Sequence, residues 1–388
     1  MKNVIIVYSK MVIGGSTTSL LSLLNCLDYT RYSVDLQLYD NHGELQDQIN
    51  KNVNILPEMS QQSKKIHKYI RPSYWTSLVK ARVYSTRTEN RLINAQYMSK
   101  YEAIACPKSG KQYDVGISFL EFWPMEYLVR RVNATRKIGW IHIDIKEAGL
   151  FPIIGDELYS KLDKIVLVSN SCVENMKMLY PSQAERLVCI ENILVSDTIE
   201  GMAKQTPEVE YTVGVFNFVT ACRLVLASKG LDRGINAFGK LKKEGIIHDG
   251  IKWFIIGDGP DRQIIEQMIK EQGLTNNILL LGQQKNPYCI EKDMNVFLLP
   301  SRYEGKPMAV TEAQMLGLVP VVCNYSSANE QINDGVDGLI ANNDDEDIYY
   351  KIRQIITDTE VYATMRETVV SNEYSNIHVV DSIQALME

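Results

Sequence analysis

The sequence contains no Cys-x-x-Cys pair, which argues against zinc-ribbon and thioredoxin-type sites. It also lacks a run of about 18 apolar residues, the length that a membrane-spanning helix needs. Its seven cysteines are an odd number scattered mostly through apolar segments, as expected of reduced thiols in a cytoplasmic protein. Tandem repeats and low-complexity segments are missing as well. These absences favour a cytoplasmic globular chain.

Length, composition and net charge further limit the class of protein to which this chain can belong. The chain has 388 residues, of which 45% are hydrophobic and 23% charged, and this composition is typical of a globular protein with two domains. The formal net charge of −6 argues against a general nucleic-acid binder, so we expect no nucleic-acid partner.

Short β-branched runs alternate with helical stretches along most of the chain, a pattern typical of parallel sheets buried on both faces. The predicted strands are Val4–Tyr8, Ser33–Leu38, Val115–Ser118, Arg136–Ile141, Lys164–Ser169, Phe216–Ala221, Lys252–Ile256, Ile278–Leu281, Val296–Leu299, Pro320–Val322 and Gly338–Ile340. In the first turn, Gly14 and Gly15 precede Ser16, which is predicted to cap the following helix. This alternation of strands and helices predicts two consecutive doubly wound α/β domains.

The predicted domain boundaries lie where the alternation of strands and helices is interrupted. Residues 1–195 form the first domain, with a basic insertion at about 64–111, and the polar segment 196–212 is predicted to be the linker. Residues 213–365 form the second domain. Residues 366–388 form a C-terminal helix that we expect to cross back to the first domain.

The insertion is strongly basic in a chain that is acidic as a whole. Between residues 64 and 111, eleven lysines and arginines stand against only Glu89 and Glu102, with tyrosines and Trp75 interleaved. Such asymmetry suggests an interaction face, and we expect it to bind an anionic membrane surface. A solvated helical insertion and a nucleic-acid patch are the alternatives.

Two glutamates flank a predicted strand-to-helix junction in the second domain. Pro307 suits the first helical position, so Glu304 lies in a loop and Glu312 on the helix. The N–H groups near Met308 and Ala309 would suit an anion or sugar hydroxyls. The spacing of the carboxylates fits a ligand with two polyol groups, but it also fits two solvated glutamates.

Two cations follow the first strand of the same domain. Arg223 and Lys229 lie in a predicted strand–loop–helix segment. Two fixed positive charges suit a nucleotide diphosphate and stabilise it as it leaves. A solvated arginine and lysine are the alternative.

The region around these residues resembles the retaining glycosyltransferases of the GT-B fold, family 4 (group 1) type. Glu304 and Glu312 match the E-x7-E signature within Glu-Gly-x-Pro and Glu-Ala-x-x-x-Gly contexts, with a departure at Lys306, where the family usually has an aromatic residue. Arg223 and Lys229 match a G-R-L…K-G element, with Cys222 replacing the glycine.

In the first domain the resemblance is mainly one of pattern. Gly14 and Gly15 resemble the family's diphosphate-facing glycine loop, and His142, which follows a strand, resembles its histidine near the donor sugar. Asp144 in the same segment is a weaker match. The resemblance implies the GT-B fold, in which two Rossmann-like domains face each other across a cleft.

The resemblance also implies an activity and a set of site residues. The implied enzyme is a hexosyltransferase (EC 2.4) that takes a sugar from a nucleotide diphosphate sugar, with UDP favoured. The implied catalytic residues are Glu304, His142, Arg223 and Lys229. The implied donor-binding residues are Gly14, Gly15, Arg223, Lys229, Glu304, Lys306, Pro307, Met308, Ala309 and Glu312.

The expected acceptor is a glycan, lipid-linked, in the synthesis of a surface polysaccharide such as a capsule. We expect no metal and no cofactor. The expected location is the cytoplasm, with peripheral attachment to the inner face of the cell membrane. A sugar-nucleotide epimerase, another GT-B enzyme and a non-catalytic GT-B partner subunit are the alternatives.

Overall fold

The chain divides into two compact units, residues 1–193 with 377–388, and residues 194–376. The computed structural model describes residues 1–60, 72–88, 90, 92–150 and 152–388. Part of the predicted basic insertion, residues 64–71, 89 and 91, therefore lies outside the described residues. This part includes Lys64, Lys65, Lys68, Tyr69, Arg71, Glu89 and Arg91. Within the described residues, no helix is both long and apolar enough to cross a membrane.

The first unit contains a seven-stranded sheet in which every neighbouring pair is parallel, with the order β3-β2-β1-β4-β5-β6-β7. Its strands are β1 (Lys2–Tyr8), β2 (Tyr32–Leu38), β3 (Asn54–Ile55), β4 (Gln112–Ser118), β5 (Asn133–Ile141), β6 (Lys164–Leu167) and β7 (Leu187–Cys189). Among its described residues, the α-helices before β7 are α1 (Gly15–Cys26), α2 (Pro72–Thr88), α3 (Leu92–Ala105), α4 (Trp123–Arg131), α5 (Pro152–Tyr159) and α6 (Asn170–Leu179).

The second unit contains a six-stranded parallel sheet with the order β10-β9-β8-β11-β12-β13. Its strands are β8 (Phe216–Ala221), β9 (Ile251–Ile256), β10 (Ile278–Gly282), β11 (Val296–Leu299), β12 (Val319–Cys323) and β13 (Leu339–Ala341). Its helices are α7 (Ser196–Ala203), α8 (Leu226–Lys229), α9 (Leu231–Lys243), α10 (Arg262–Glu271), α11 (Tyr288–Glu291), α12 (Met308–Met315), α13 (Asp345–Thr357) and α14 (Thr359–Ser371).

A last helix, α15 (Val379–Met387), belongs to the first unit. Lys2 Nζ donates to the carbonyl oxygen of Met387 at 2.9 Å, and the Tyr32 hydroxyl donates to Glu388 Oε1 at 2.8 Å. The chain therefore enters the first unit, passes through the second and returns to the first. The predicted C-terminal segment began at residue 366, whereas α14 continues to Ser371 within the second unit.

The strands are buried on both faces, as their continuous apolar runs predict. Val4 to Val7 in β1 are fully buried, and so are Trp253, Phe254 and Ile255 in β9. The indole nitrogen of Trp253 donates to Thr220 Oγ1 at 2.9 Å, which satisfies a polar group in the core. The prediction of two Rossmann-like α/β domains is confirmed.

Two local predictions differ from the structure. Helix α1 begins at Gly15 with Gly14 as its N-cap, and the Ser16 hydroxyl instead lies 2.8 Å from the Tyr8 hydroxyl. The predicted linker contains helix α7, because Ile199 and Ala203 are apolar residues four apart that pack in a cluster with Tyr288.

Candidate functional site

In the second unit, the loops after β8 and β11 leave the same edge of the sheet because these strands are parallel neighbours. The strand β9 follows β8 in the chain but lies on its other side, so the strand order reverses at this point. Doubly wound sheets bind ligands at such reversals, beyond the carboxyl ends of the strands. The segment after β8 carries Arg223 in its loop and Lys229 at the end of helix α8, and the loop after β11 carries Glu304.

Arg302 joins these two loops. Its backbone N–H donates to the carbonyl oxygen of Ser228 at 2.7 Å, and its Nη1 donates to that of Leu226 at 2.8 Å. Its two terminal nitrogens also bind both carboxylate oxygens of Asp232, at 2.9 and 2.7 Å. A bidentate arginine–carboxylate pair fixes orientation as well as distance, so the loops have one relative position.

This arrangement brings Lys229 and Glu304 into direct contact. Lys229 Nζ lies 2.6 Å from Glu304 Oε1, and the Ser301 hydroxyl donates to the same oxygen at 2.6 Å. Burial lowers the pKa of Lys229, but the Glu304 charge outweighs it and the pKa is raised. Lys229 therefore carries its positive charge throughout the neutral range. Arg223, six residues earlier, has an exposed side chain.

Two glycines allow the loops to approach this closely. Gly230 has φ +60, and a Cβ there would lie 2.1 Å from the carbonyl oxygen of Pro300. Gly257 has φ +132, and a Cβ there would lie 1.9 Å from the carbonyl oxygen of Cys222. Both positions need a residue without a side chain. The turn at Gly257 therefore supports the loop that carries Arg223.

Glu312 lies on α12 and its carboxyl group is buried. The residue is 7% exposed. Burial raises the pKa of Glu312 to about 7, and the neighbouring Tyr288 hydroxyl offsets part of that effect. A second carboxyl group, Glu291 on α11, is 1% exposed. Its pKa is raised by burial and also by the charge of Glu312.

The start of α12 differs by one residue from the prediction. Pro307 is the N-cap and Met308 the first helical residue. The Met308 side chain is 5% exposed and packs in the apolar cluster with Ile199, so only its backbone N–H is suited to a ligand. Ala309 and Lys306 are partly exposed beside it. Gln331 holds this end of the helix by donating to the carbonyl oxygen of Pro307 at 3.0 Å.

In the first unit, the glycine loop follows β1 at the corresponding reversal of strand order, between β1 and β4. The carbonyl oxygen of Gly14 accepts the N–H groups of Thr17 and Thr18 at 3.0 Å each. A Cβ at Gly14 would meet no atom within 4 Å, so packing within the protein does not require glycine there. Gly15 is the first residue of α1.

His142 directly follows β5, and its ring lies 5.1 Å from the Phe119 ring. Burial lowers the pKa of His142 to about 4, so the imidazole is neutral at pH 7. The Asp144 carboxylate holds the turn that follows: it accepts the backbone N–H groups of Lys146 and Glu147 at 3.1 Å each and the Asn175 amide at 2.7 Å.

Sequence reasoning missed Glu121, which lies in the loop after β4. Its Oε2 accepts the backbone N–H of His142 at 3.1 Å, so it positions the histidine segment. Burial raises the pKa of Glu121. The next residue, Phe122, has φ +62, and it is the one non-glycine residue in the described part of the chain with a positive φ. No sequence motif includes Glu121, and its position after a predicted strand is the one feature that could have identified it as a candidate site residue.

Among the described residues, one group of side chains has the composition of a metal site. Ligand atoms of Asp40, His42 and Glu58 all lie within 4.8 Å of one another, on loops of the first unit. Lys10 Nζ lies 3.1 Å from Asp40 Oδ2, so a protein cation already neutralises part of the cluster. The acidic run Asp344–Asp347 is a capped helix start, since the Asp344 side chain accepts the Asp347 N–H.

The two parallel-sheet units have the GT-B fold. The structure superposes along 100% of its length on 100% of a mutant of S. aureus TarM, solved in complex with fondaparinux, α-GlcNAc-glycerol and UDP. The TM-score is 0.70 and the sequence identity 16%, a likeness that establishes the fold. Residues 216–370, which lie in the second unit, match the family model described as Glycosyl transferases group 1.

Two curated proteins that this chain resembles are named as glycosyltransferases. An uncharacterized glycosyltransferase of Methanocaldococcus jannaschii is 27% identical over 221 residues, covering 54% of this chain and 53% of that protein. A UDP-Gal:α-D-GlcNAc-diphosphoundecaprenol α-1,3-galactosyltransferase of Escherichia coli is 29% identical over 148 residues, covering 37% of this chain and 38% of that protein. The chain thus spans about half the length, or less, of these two relatives.

Proposed function

We propose that this protein is a retaining glycosyltransferase of family 4 type. It would move a hexosyl group from a UDP-sugar to a hydroxyl of a lipid-linked glycan acceptor, in the synthesis of a surface polysaccharide. The group 1 domain and the E. coli relative, which is named for a UDP-sugar donor and a diphosphoundecaprenol-linked acceptor, support this assignment. The cytoplasm and the inner face of the membrane are the proposed location.

The 2.6 Å contact between Lys229 Nζ and Glu304 Oε1 is the observation that carries the proposal. In a nucleotide diphosphate sugar, the sugar carbon that reacts is bonded directly to a phosphate oxygen. A site for this donor therefore needs a cation for the phosphate next to an acceptor for sugar hydroxyls. Lys229 and Glu304 supply these two groups side by side, and Arg223 supplies a second cation for the diphosphate.

The remaining roles follow from position and charge. Glu312 is suited to the ribose hydroxyls, and the N–H groups of Met308 and Ala309 to the sugar or phosphate oxygens. Neutral His142 is suited to a hydrogen bond with a sugar hydroxyl rather than to holding an anion. The glycine loop at Gly14 is suited to close backbone approach by the diphosphate.

The proposed reaction keeps the configuration at the reacting carbon. The bond from this carbon to the phosphate oxygen breaks, and a bond to the acceptor hydroxyl oxygen forms on the same face. The departing phosphate oxygen takes the hydroxyl proton, so no separate base is needed. Arg223 and Lys229 stabilise the charge that develops on the diphosphate.

A panel of nucleotide sugars with purified protein and lipid-linked acceptors tests the proposal. We expect UDP release from a UDP-sugar that depends on the acceptor, and a product whose anomeric NMR signal matches the donor configuration. Conversion of the sugar nucleotide without UDP release would identify an epimerase. Stabilisation by UDP without turnover of any donor would identify a non-catalytic partner.

A further inference from the structure

The exposed side of α2 carries an apolar stripe. Trp75, Val79 and Val83 are 48%, 61% and 41% exposed. They are four residues apart, so at about 100° per residue they point within about 80° of one another. Large apolar side chains that face water in a continuous row mark an interaction surface rather than scattered exposure.

The opposite side of α2 is already occupied by α3. The Tyr84 ring stacks on Tyr97 at 5.9 Å, and the Ser77 hydroxyl donates to the Tyr101 hydroxyl at 2.9 Å. Tyr74 also contacts Tyr101, with ring centroids 6.2 Å apart. These contacts fix the rotation of α2 about its axis, so the stripe faces away from its partner helix.

The charges around the stripe have one sign. Helix α2 contains Lys80, Arg82 and Arg87, all exposed, and no acidic residue. Elsewhere in the basic segment, part of the charge is used internally, since Lys111 pairs with Asp35 at 3.1 Å and Lys100 with Glu157 at 3.2 Å. Helix α2 is therefore the part of the described basic segment that combines exposed cations with an exposed apolar row.

We propose that α2 docks this protein on an anionic bilayer, with Trp75, Val79 and Val83 inserted among the lipid headgroups and Lys80, Arg82 and Arg87 paired with lipid phosphates. Charge complementarity selects this partner, because an all-cationic helix face matches anionic lipids. Tryptophan is the side chain most suited to the headgroup zone, and long basic side chains can extend from a buried stem to the phosphates. The helix lies in the plane of the interface and does not cross the membrane.

The sequence supplies its own reporter for this contact. The chain has four tryptophans, of which Trp123, Trp140 and Trp253 are at most 6% exposed, whereas Trp75 is 48% exposed. Insertion of α2 into a bilayer should therefore shift tryptophan emission to the blue and protect it from acrylamide. The variant Trp75→Phe should lose this signal but still sediment with vesicles.

Sedimentation of the full chain with vesicles tests the proposal. We expect binding to vesicles that contain phosphatidylglycerol at low salt, weaker binding at high salt, and little binding to phosphatidylcholine alone. The triple variant Trp75→Ser/Val79→Ser/Val83→Ser should bind at least about tenfold more weakly. Its control replaces Val215, Ile264 and Val336, which are 86%, 53% and 53% exposed in the second unit, by serine.

Two charge-reversal variants separate the contribution of the α2 cations to vesicle binding from the effect of net charge. The variant Lys80→Glu/Arg82→Glu/Arg87→Glu should lose binding at least about tenfold, because each cation near an anionic surface adds to the attraction. The control Lys243→Glu/Lys270→Glu/Arg366→Glu makes the same change in net charge at exposed positions of the second unit. Equal losses in both variants would overturn a role specific to α2.

Other outcomes would also overturn the proposal. Wild-type protein that stays in the supernatant with anionic vesicles at low salt contradicts it. A serine variant that binds vesicles normally but loses self-association would identify a second copy of the chain as the occupant. Stabilisation by UDP is measured on the same variants, and it tests the proposed function separately because none of the substituted residues is proposed to bind the donor.

Discussion

The Lys229–Glu304 ion pair joins two groups that the proposed reaction uses for different parts of one donor. Glu304 also accepts the Ser301 hydroxyl at the same oxygen, so its position is set before any donor binds. Preorganised polar groups lower the reorganisation that accompanies charge development in the transition state. The pair should therefore matter more for turnover than for folding.

The variant Glu304→Gln tests this difference. Glutamine keeps an oxygen for Ser301 but removes the charge, so we expect turnover to fall about 10²- to 10³-fold. The unfolding midpoint should fall only moderately, because Lys229 loses a compensating charge but its side chain is 23% exposed. Steady-state kinetics and thermal unfolding are the measurements. Glu367→Gln, at an exposed position of α14, is the matched control. Retention of full turnover in Glu304→Gln would remove this residue from the site.

Glu312 makes the proposed nucleotide contact sensitive to pH. Its pKa is raised to about 7 by burial, so at pH 6 most of the free protein holds it protonated. Ribose hydroxyls that donate to this carboxyl group favour its charged form and lower the pKa. Binding of UDP at pH 6 should therefore release protons, in proportion to the fraction of Glu312 that was protonated.

Calorimetry in buffers of different ionisation enthalpy measures this release. We expect it in the wild-type protein at pH 6, a smaller release at pH 8, and its reduction in Glu312→Gln. The same number of protons released by both proteins at pH 6 would show that Glu312 does not meet the ribose.

Helix α15 follows the second unit in the sequence but packs in the first unit. Its residues Val379, Val380, Ile383 and Met387 are buried, and Glu388 bonds to Tyr32 at the start of β2. A nine-residue helix is marginal in isolation, so its stability comes from this packing. The first unit is therefore complete only after the chain has passed through the second.

The variant Ile383→Ala tests the contribution of α15. Ile383 is 1% exposed, and truncation of such a side chain costs about 2–5 kcal/mol. We expect faster hydrogen exchange in β1 and β2, while β8 to β13 keep their protection. Ile377→Ala, at a 53% exposed position next to the helix, is the control. Unchanged exchange in β1 and β2 would contradict a structural role for α15.

For the molecule as a whole, the proposed chemistry relies on side-chain cations. In the proposed site, Arg223 and Lys229 would neutralise the diphosphate as a divalent ion does in other nucleotide-sugar sites, so we expect transfer to persist in excess EDTA. The substitution His42→Ala in the group formed by Asp40, His42 and Glu58 should leave turnover unchanged. Loss of activity in EDTA that Mg²⁺ or Mn²⁺ restores would contradict this prediction, and turnover in both conditions is the measurement.

The fold class was predictable because it depends on local patterns. Buried strands read as short β-branched runs, and the predicted Phe216–Ala221 and Val296–Leu299 agree with β8 and β11. The strand-to-helix junction at Pro307 was predicted within one residue, since proline favours the start of a helix. These features need only neighbours in the sequence.

Contacts between distant residues were decided by the tertiary structure. Lys229 and Glu304 are 75 residues apart, and they meet because β8 and β11 are neighbours in the sheet and Arg302 ties their loops together. Glu121 reaches the His142 N–H only because β4 and β5 are paired. Hydrophobic periodicity identifies strands but does not encode their order, so the partners of each carboxylate and cation follow from how the strands assemble.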